Sequence, residues 1–591
     1  MLQTAPNTIQ KQEILIRGIA AAPGIAQGPA FVFLQDGLDV PCYPVEEAAL
    51  SGEIGRFEQA LLATRKQISL LRDAVIERLG QGEAAIFDAH LLALEDPALI
   101  DETIQTVYKK KLNIEHCFHA VAEKYIAFFS KLEDEYFKER VSDIRDVAQR
   151  ILRNMLGLSK CTLSAITDRR VIVAEDVTPS DTATLEIGHA IAIITDAGNR
   201  TSHAVIMSRS LRIPAVVGLI SASHQIEHDD AVIVDGYEGL VIVNPTDETL
   251  ASYERISRSR GDFQRKVLSE VELPSLTSDG VPFRLSANVN GVEDIESVHK
   301  YRAGGVGLFR TESIFLKNSQ QVPDEETQFD YYRALIAAAL PDRVIVRTLD
   351  IGGDKQHSAL LAGTGSEPNP FMGFRAIRYC LERKPDFRTQ LRAILRASAY
   401  GRVKIMFPMI SSLDELLQAK DFLAQTAAEL KAEGVAFDEN IAVGSMIEIP
   451  SAAVSAELLA DHCDFFSIGT NDLVQYMLAV DRGNERIAHL YEPCNPAVLQ
   501  ILRHVIQTAK RKKIDVSVCG ELAGDSAFAP LLFALGADSL SMTPAVIPEM
   551  RYLLRRSNST DLNELVSQVY SEHDPKKIYQ ILRRFANERL V

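Results

Sequence analysis

The sequence predicts an α/β multidomain chain: a small N-terminal α/β domain carrying an inserted α-helical bundle, followed by a C-terminal (β/α)8 TIM barrel. Three observations predict it. Eight β-rich runs, most of them separated by helical sequence, recur through the C-terminal half. Helical periodicity fills residues 46–157. Short β-rich runs bounded by Gly, Asp and Pro flank that helical stretch on both sides.

Taken in order, IRGIAAAPGIAQGPAFVF reads as a loop and a strand, because Gly18, Pro23, Gly24, Gly28 and Pro29 break its apolar run. Leu50, Ile54, Phe57, Leu61, Thr64, Ile68, Leu71 and Val75 then alternate steps of four and three, the seam of a long helix that ends at Gly80 and Gly82. A second helical segment follows, interrupted at Pro97, and then one longer segment over 113–156. The β-rich runs RRVIVAEDV, AIAIITDAG, IPAVVG and DAVIVDG resume beyond it. Residues 1–45 and 158–245 are therefore expected to form one α/β domain, with 46–157 inserted as a bundle.

Residues 246–274 are charged and helical without a rich apolar face, which suits an exposed connector. Residues 275–591 then supply FRLSANV, GVGLFRTE, RVIVRTLD, VKIMFPM, IAVGSMIEIP, DFFSIGTND, DVSVCGE and SLSMTP as barrel strands with the turns that follow them. The gap from Leu349 to Val403 is long enough to hold an extra loop.

Composition narrows the function. With 80 acidic against 63 basic residues the net charge is −17, which argues against a nucleic-acid backbone as the main partner. The seven cysteines (Cys42, Cys117, Cys161, Cys380, Cys463, Cys494, Cys519) form no CxxC pair and read as free thiols of a reducing cytoplasm. No apolar stretch is long enough to span a membrane, and no signal-peptide pattern opens the chain. A soluble, cytoplasmic protein is expected.

Chemistry in such barrels lies at the C-terminal ends of the strands. Those ends carry Arg310, Arg347, Glu448, Asn471, Asp472 and Cys519, with Lys355 in the long loop and Arg482 beyond GTND. Arginine forks at several ends suit a small anion bearing phosphate and carboxylate groups. Two carboxylates among them would repel that anion unless a hard divalent cation sits between, so Glu448 and Asp472 are candidate Mg2+ ligands. The thiol of Cys519, with an ordinary pKa of about 8.5, is mostly protonated at neutral pH and could protonate a carbanion-like intermediate.

His203 stands apart. TDAGNRTSHAVIMSRS places it behind a turn, with Thr201 and Ser202 as capping residues at the mouth of a helix. Helix N-termini favour negative charge, which would keep the imidazole neutral and stabilise a phosphoryl group placed on it. Arg200 and Arg209 could meet that phosphate.

GNRTSHAVIMSRSLRIPAVVG resembles the phosphohistidine motif of the enzymes that use phosphoenolpyruvate (PEP) as a phosphoryl donor. GVGLFRTE, VRTLDIGGDK, NPFMGFRAIR, ILRAS, IMFPMI, FFSIGTNDLVQYMLAVDRGN, LYEP and CGELAGD resemble the barrel motifs of the same family, in order, over nearly the whole chain. The domain order is that of the family's protein phosphotransferases. The resemblance implies that the α/β domain is the swivelling phosphohistidine domain and His203 the phosphorylated nucleophile, oriented by Thr178. It implies Arg310, Arg347, Arg375 and Arg482 as substrate-binding residues with Asn471 assisting, Glu448 and Asp472 as Mg2+ ligands, and Cys519 as the proton donor to enolpyruvate; Lys355 joins the substrate-binding set from its place in the long loop. The sequence departs from the family pattern at Asn199, Ser208 and Ile449.

The resemblance further implies a homodimer through the barrel and, as acceptor, the histidine-containing phosphocarrier protein (HPr) docked on the helical insert. Residues 82–107 include Glu83, Asp88, Glu95, Asp96, Asp101 and Glu102 without Lys or Arg, an acidic face able to steer a basic partner. Because His203 and the barrel pocket lie on different domains, a swivel about 246–274 is expected. ATP-dependent relatives with a large domain ahead of the histidine fit poorly, since 202 residues precede His203. A relative with an N-terminal sensor domain also fits poorly, because the chain starts directly at the first α/β run. A regulatory binder that keeps the fold without turnover is the alternative from another class, and the complete set of charged strand-end residues argues against it.

Overall fold

A computed structural model of the chain describes residues 11–590 except 34–37, 80, 130–134, 159–162, 164–165, 167, 179–180, 182–187, 199–204, 206–207, 209–212, 318–321, 353–366, 368, 483 and 485–486, with only the backbone of 77–79, 81–85, 135–140 and 142. It divides into two compact units, Met1–Ser259 and Arg260–Val591.

In the first unit, β1 (Ile14–Arg17), β2 (Ile19–Ala22), β3 (Ile25–Phe33), β4 (Arg170–Ala174), β5 (Ala190–Thr195), β6 (Ala215–Val217), β7 (Ala231–Asp235) and β8 (Leu240–Val243) form one sheet in the order β1-β8-β7-β3-β4-β5-β6-β2. Strands β3 to β6 pair in parallel, and the flanking pairs are antiparallel. Central strands such as Arg170–Ala174 are apolar at successive positions because both faces are covered. Ile172, Ile193 and Val217 pack into one cluster, and Val171, Val173, Ala192 and Ile194 into another. The segment read as a loop and a strand is in fact three strands. Gly18, whose N–H donates to Gly239 O at 2.9 Å, divides β1 from β2, which join opposite ends of the strand order.

The bundle comprises α1 (Leu50–Leu79), α2 (Gln81–Leu94), α3 (Pro97–Lys110), α4 (Ile114–Phe129) and α5 (Glu135–Leu156). Phe57, Ile68, Phe87, Phe118 and Ile151 lie in its core. Pro97 marks a helix start rather than a kink: Asp96 caps α3, accepting from Ala98 N–H at 2.9 Å, and Pro97 fills the first helical position. The single long segment expected over 113–156 divides into α4 and α5, and the mostly polar sequence SKLED (130–134) between them interrupts the apolar spacing.

A helix over Asp247–Ser269 carries the chain between the units; Val267 is its one buried residue among those described. All eight expected barrel strands form: β9 (Leu285–Val289), β10 (Val306–Arg310), β11 (Arg343–Arg347), β12 (Arg402–Phe407), β13 (Ala442–Ile447), β14 (Phe465–Ile468), β15 (Asp515–Val518) and β16 (Ser539–Met542). They close in sequence order, every pair parallel. Leu308, Ile345, Met406, Met446, Phe465 and Cys519 fill the interior. No described helix is long and apolar enough to cross a membrane.

Arg551 ties the barrel to the segment that enters it. Its buried guanidinium donates to Val271 O at 2.7 Å, Tyr301 O at 3.1 Å and Arg302 O at 2.5 Å. Replacing it by methionine keeps the packing but removes all three bonds and leaves the carbonyl of the buried Val271 unpaired. Arg551→Met is expected to lower the stability of the barrel transition in urea by about 3 kcal/mol. An unchanged midpoint would show that these carbonyls find water instead.

Candidate active site

The C-terminal ends of the barrel strands hold the charged set. Arg347, the last residue of β11, is 5% exposed; its guanidinium pairs with Glu312 at 2.7 Å and Asp350 at 3.1 Å. Arg375, 2% exposed, pairs with Asp350 at 2.9 Å and Asp472 at 3.6 Å, and donates to the Tyr476 hydroxyl at 3.2 Å. Burial alone would lower both guanidinium pKa values. For Arg347, Glu312, Asp350 and Glu448 outweigh it; for Arg375, Asp350 and Asp472 do. Both arginines stay fully charged.

Arg310 differs. It ends β10, half-buried, and its guanidinium makes no hydrogen bond to a described residue. Burial, reinforced by the charge of Arg347, pushes it below the ordinary guanidinium value. A desolvated cation beside another cation gains from any anion placed between them.

Glu448, 1% exposed, follows β13. Its Oε1 accepts from Met409 N–H at 2.6 Å, and Met409 holds a left-handed backbone (φ 57°) to present that donor. The other oxygen faces Gly469, where a Cβ would lie 2.7 Å from Oε2, so this turn needs glycine. Burial, then the charges of Asp472 and Asp350, push the Glu448 carboxyl up to about 8, although Arg347 and Arg375 oppose the shift. A buried carboxyl whose ionisation a neighbouring carboxylate opposes, with oxygen donors only, fits a hard divalent cation, which would remove the repulsion.

Cys519 follows β15 and lies 2% exposed in the barrel interior, with Sγ 3.6 Å from Ile468 O. Burial pushes its thiol up to about 11, so the sulfur carries a proton at neutral pH. Asn471 clamps the neighbouring loop: its Oδ1 accepts from Glu521 N–H at 2.8 Å and its Nδ2 donates to Glu521 Oε1 at 3.0 Å. Arg482, expected as a free substrate cation, lies 3.4 Å from the same carboxylate. Glu521 therefore competes for it at the mouth of the site.

Thr178 belongs to the first unit. Its Oγ1 accepts from Asp181 N–H at 3.2 Å and its backbone N–H donates to Asp181 Oδ2 at 3.3 Å, the reciprocal arrangement of a capping box, and its hydroxyl donates to the same Oδ2 at 2.8 Å. His203 and Lys355 lie outside the described residues, as do Arg200 and Arg209. The sequence reading missed Glu312 and Asp350, the carboxylates that hold Arg347 and Arg375. Both stand within the motifs RTE and TLD, at strand ends where a buried arginine needs a partner.

Alkylation separates the buried thiol from the exposed one. With iodoacetamide at neutral pH, Cys42, which is exposed, is expected to label while Cys519 does not. Peptide mass mapping reads both, and rapid labelling of Cys519 would mean an accessible thiolate.

Comparison with known proteins adds to this geometry. Residues 264–559 match the PEP-binding domain of PEP-utilising enzymes, 17–140 their N-terminal domain and 166–239 their mobile domain. A phosphoenolpyruvate-protein phosphotransferase of Bacillus sp. (strain S) is 42% identical over 97% of this chain and 98% of its own length. The Haemophilus influenzae protein of that name is 38% identical over 97% and 99%. An NMR structure of an Enzyme I protein (nEIt) is 39% identical, covering 42% of this chain and 99% of its own, with a TM-score of 0.37. With full-length relatives at this identity and a barrel rim of paired arginines and carboxylates, the chain belongs to the PEP-utilising enzymes, as one of their phosphoenolpyruvate-protein phosphotransferases.

Proposed function

We propose that the chain takes the phosphoryl group of PEP onto His203, releases pyruvate, and passes the group to a histidine of HPr, the first step of the sugar phosphotransferase system. The observation that carries this reading is Arg310: a desolvated cation whose guanidinium has no described hydrogen bond, close to Arg347 and to a protonated thiol. That is a site for an anion whose breakdown ends in a proton transfer to carbon. The names of the full-length relatives support the donor and the acceptor class.

Each residue then has a role. Arg310, Arg347 and Arg375 bind the phosphate and carboxylate oxygens, with Asn471, Arg482 and Lys355 closing the mouth. Glu448 and Asp472 would hold Mg2+, which supplies positive charge against the phosphate and carboxylate oxygens. The imidazole nitrogen of His203 attacks phosphorus in line as the bond to the enol oxygen breaks; Thr178 orients the ring. The electron pair of that bond leaves with enolpyruvate, whose terminal carbon takes the proton of Cys519 Sγ to give pyruvate, and solvent restores the thiol. Movement about 246–274 carries the phosphohistidine to its acceptor, and the active form is a homodimer through the barrel.

Incubation with radiolabelled PEP and Mg2+ tests the donor and nucleophile together. Acid-labile, alkali-stable label and pyruvate release are expected from the wild type and not from His203→Ala. Equal label on both would place the nucleophile elsewhere; label on neither would leave the regulatory-binder reading.

The acidic face proposed for HPr is less negative than its sequence suggests. Arg65 lies 3.1 Å from Glu95, Arg72 3.3 Å from Asp88 and Lys124 2.5 Å from Glu102, while Asp96 is engaged in capping α3. Reversing Asp96 would disturb the helix start. Glu95→Lys with Asp101→Lys is the cleaner pair, both residues being exposed. It is expected to slow transfer to HPr roughly tenfold at low salt and to leave self-phosphorylation unchanged. Equal transfer rates in stopped-flow would remove this face as the docking surface.

A further inference from the structure

The opposite end of the barrel contains a cavity of about 540 Å³ that the phosphotransfer chemistry does not use. It lies where the strands begin, and Arg284, Arg343, Arg402 and Lys404 contribute four cations to its lining against the two carboxylates Asp342 and Asp438. In a chain of net charge −17, that is a local reversal of sign.

The cations are not arranged to satisfy one another. Arg343 and Arg402 are direct register partners on β11 and β12. Like charges facing each other across neighbouring strands cost stability. Asp515, on β15 across the barrel, partly offsets this: its carboxylate lies 3.4 Å from Arg343 and 3.3 Å from Lys404. Lys404 is further fixed over the Phe465 ring at 4.7 Å. Arg284 and Arg402 have no ion pair among the described residues, and both are exposed to the cavity mouth. Two held cations and these two around a concave volume form a receptor for a multiply charged anion.

The rest of the lining selects the anion. None of the lining residues is aromatic, so a nucleobase would find no stacking surface. Asp342, Asp438 and Asn440 offer acceptors instead, which suit the hydroxyls of a polyol. The volume falls within the range of small-ligand pockets. We propose that this floor cavity binds a phosphorylated polyol, of the size of a hexose phosphate, with its phosphate on Arg284, Arg343 and Arg402. The site is separate from the PEP site: Arg343 and Arg347 are the two ends of β11, roughly 13 Å apart at the usual rise of a strand.

Isothermal titration of the full-length protein with glucose 6-phosphate, inorganic phosphate, AMP and glucose tests it. Saturable binding of glucose 6-phosphate at one per chain is expected, with phosphate, AMP and glucose each weaker. Arg284→Gln with Arg402→Gln should weaken it about tenfold or more, as befits two lost charge-assisted contacts. The same variant should keep PEP-dependent self-phosphorylation, which separates this site from the PEP pocket and reports that the barrel is folded. No saturable binding, or equal affinity in the variant, would overturn the site. AMP or inorganic phosphate binding as tightly as glucose 6-phosphate would overturn the polyol assignment.

Discussion

The structure depends on one constraint: charges at the C-terminal rim of the barrel are out of water and have only one another. Arg347, Arg375, Glu312, Asp350 and Glu448 are all buried. Placing any one of them there alone would cost several kcal/mol. The set is tolerable because Asp350 serves two arginines at once and Glu312 adds a second contact to Arg347. The scaffold behind it is equally specific. Gln390 accepts from Leu349 N–H at 2.9 Å and donates to Thr311 at 3.2 Å, and Thr311 in turn donates to Arg347 O at 3.0 Å. These bonds fix the backbone from which Arg347 and Asp350 project.

The charge balance of the rim explains why anion binding and a divalent cation belong together. Arg310, Arg347 and Arg375 face Glu312, Asp350, Glu448 and Asp472, so the ionised rim carries one more negative charge than positive. An anion entering that rim gains little. A divalent cation between Glu448 and Asp472, as proposed, would reverse the sign, and the same three arginines would then become an attractive pocket. The floor of the barrel solves a simpler problem, with Asp515 bridging two cations. Strands four to six residues long keep the two ends chemically distinct while making them parts of one rigid closed sheet.

How much of this is legible in the sequence follows from what is local. The eight barrel strands are readable because most are short apolar runs followed closely by a charged or turn-forming residue, and the same pattern exposes Arg310, Arg347, Glu448 and Cys519. Strands β1 and β2 are not readable. The Ala-rich β2, IAAA, lacks the β-branched signature, and β1, ILIR, is only four residues long with its partner Val243 far along the chain. Glu312 and Asp350 escape notice because a carboxylate near an arginine in sequence looks like an ordinary rim pair; only the fold shows how deeply both are desolvated. The acidic stretch of α2 and α3 errs in the other direction, because Arg65, Arg72 and Lys124, which neutralise it, come from α1 and α4.

Burial acts on three rim groups separately, and the results converge. It pushes the Glu448 carboxyl up, aided by Asp472, so that ionising it is favourable mainly when a cation compensates. It pushes Arg310 down, aided by Arg347, so that keeping its charge is favourable mainly when an anion compensates. It pushes the Cys519 thiol up, so that the proton stays on sulfur at neutral pH. None of these groups is fully satisfied by the protein around it. On the proposed mechanism, a divalent cation, a phosphate-bearing carboxylate and the enolate left after its phosphate departs would each relieve one of them. The strain that the fold accepts at these positions is therefore the specificity of the site, expressed as desolvation.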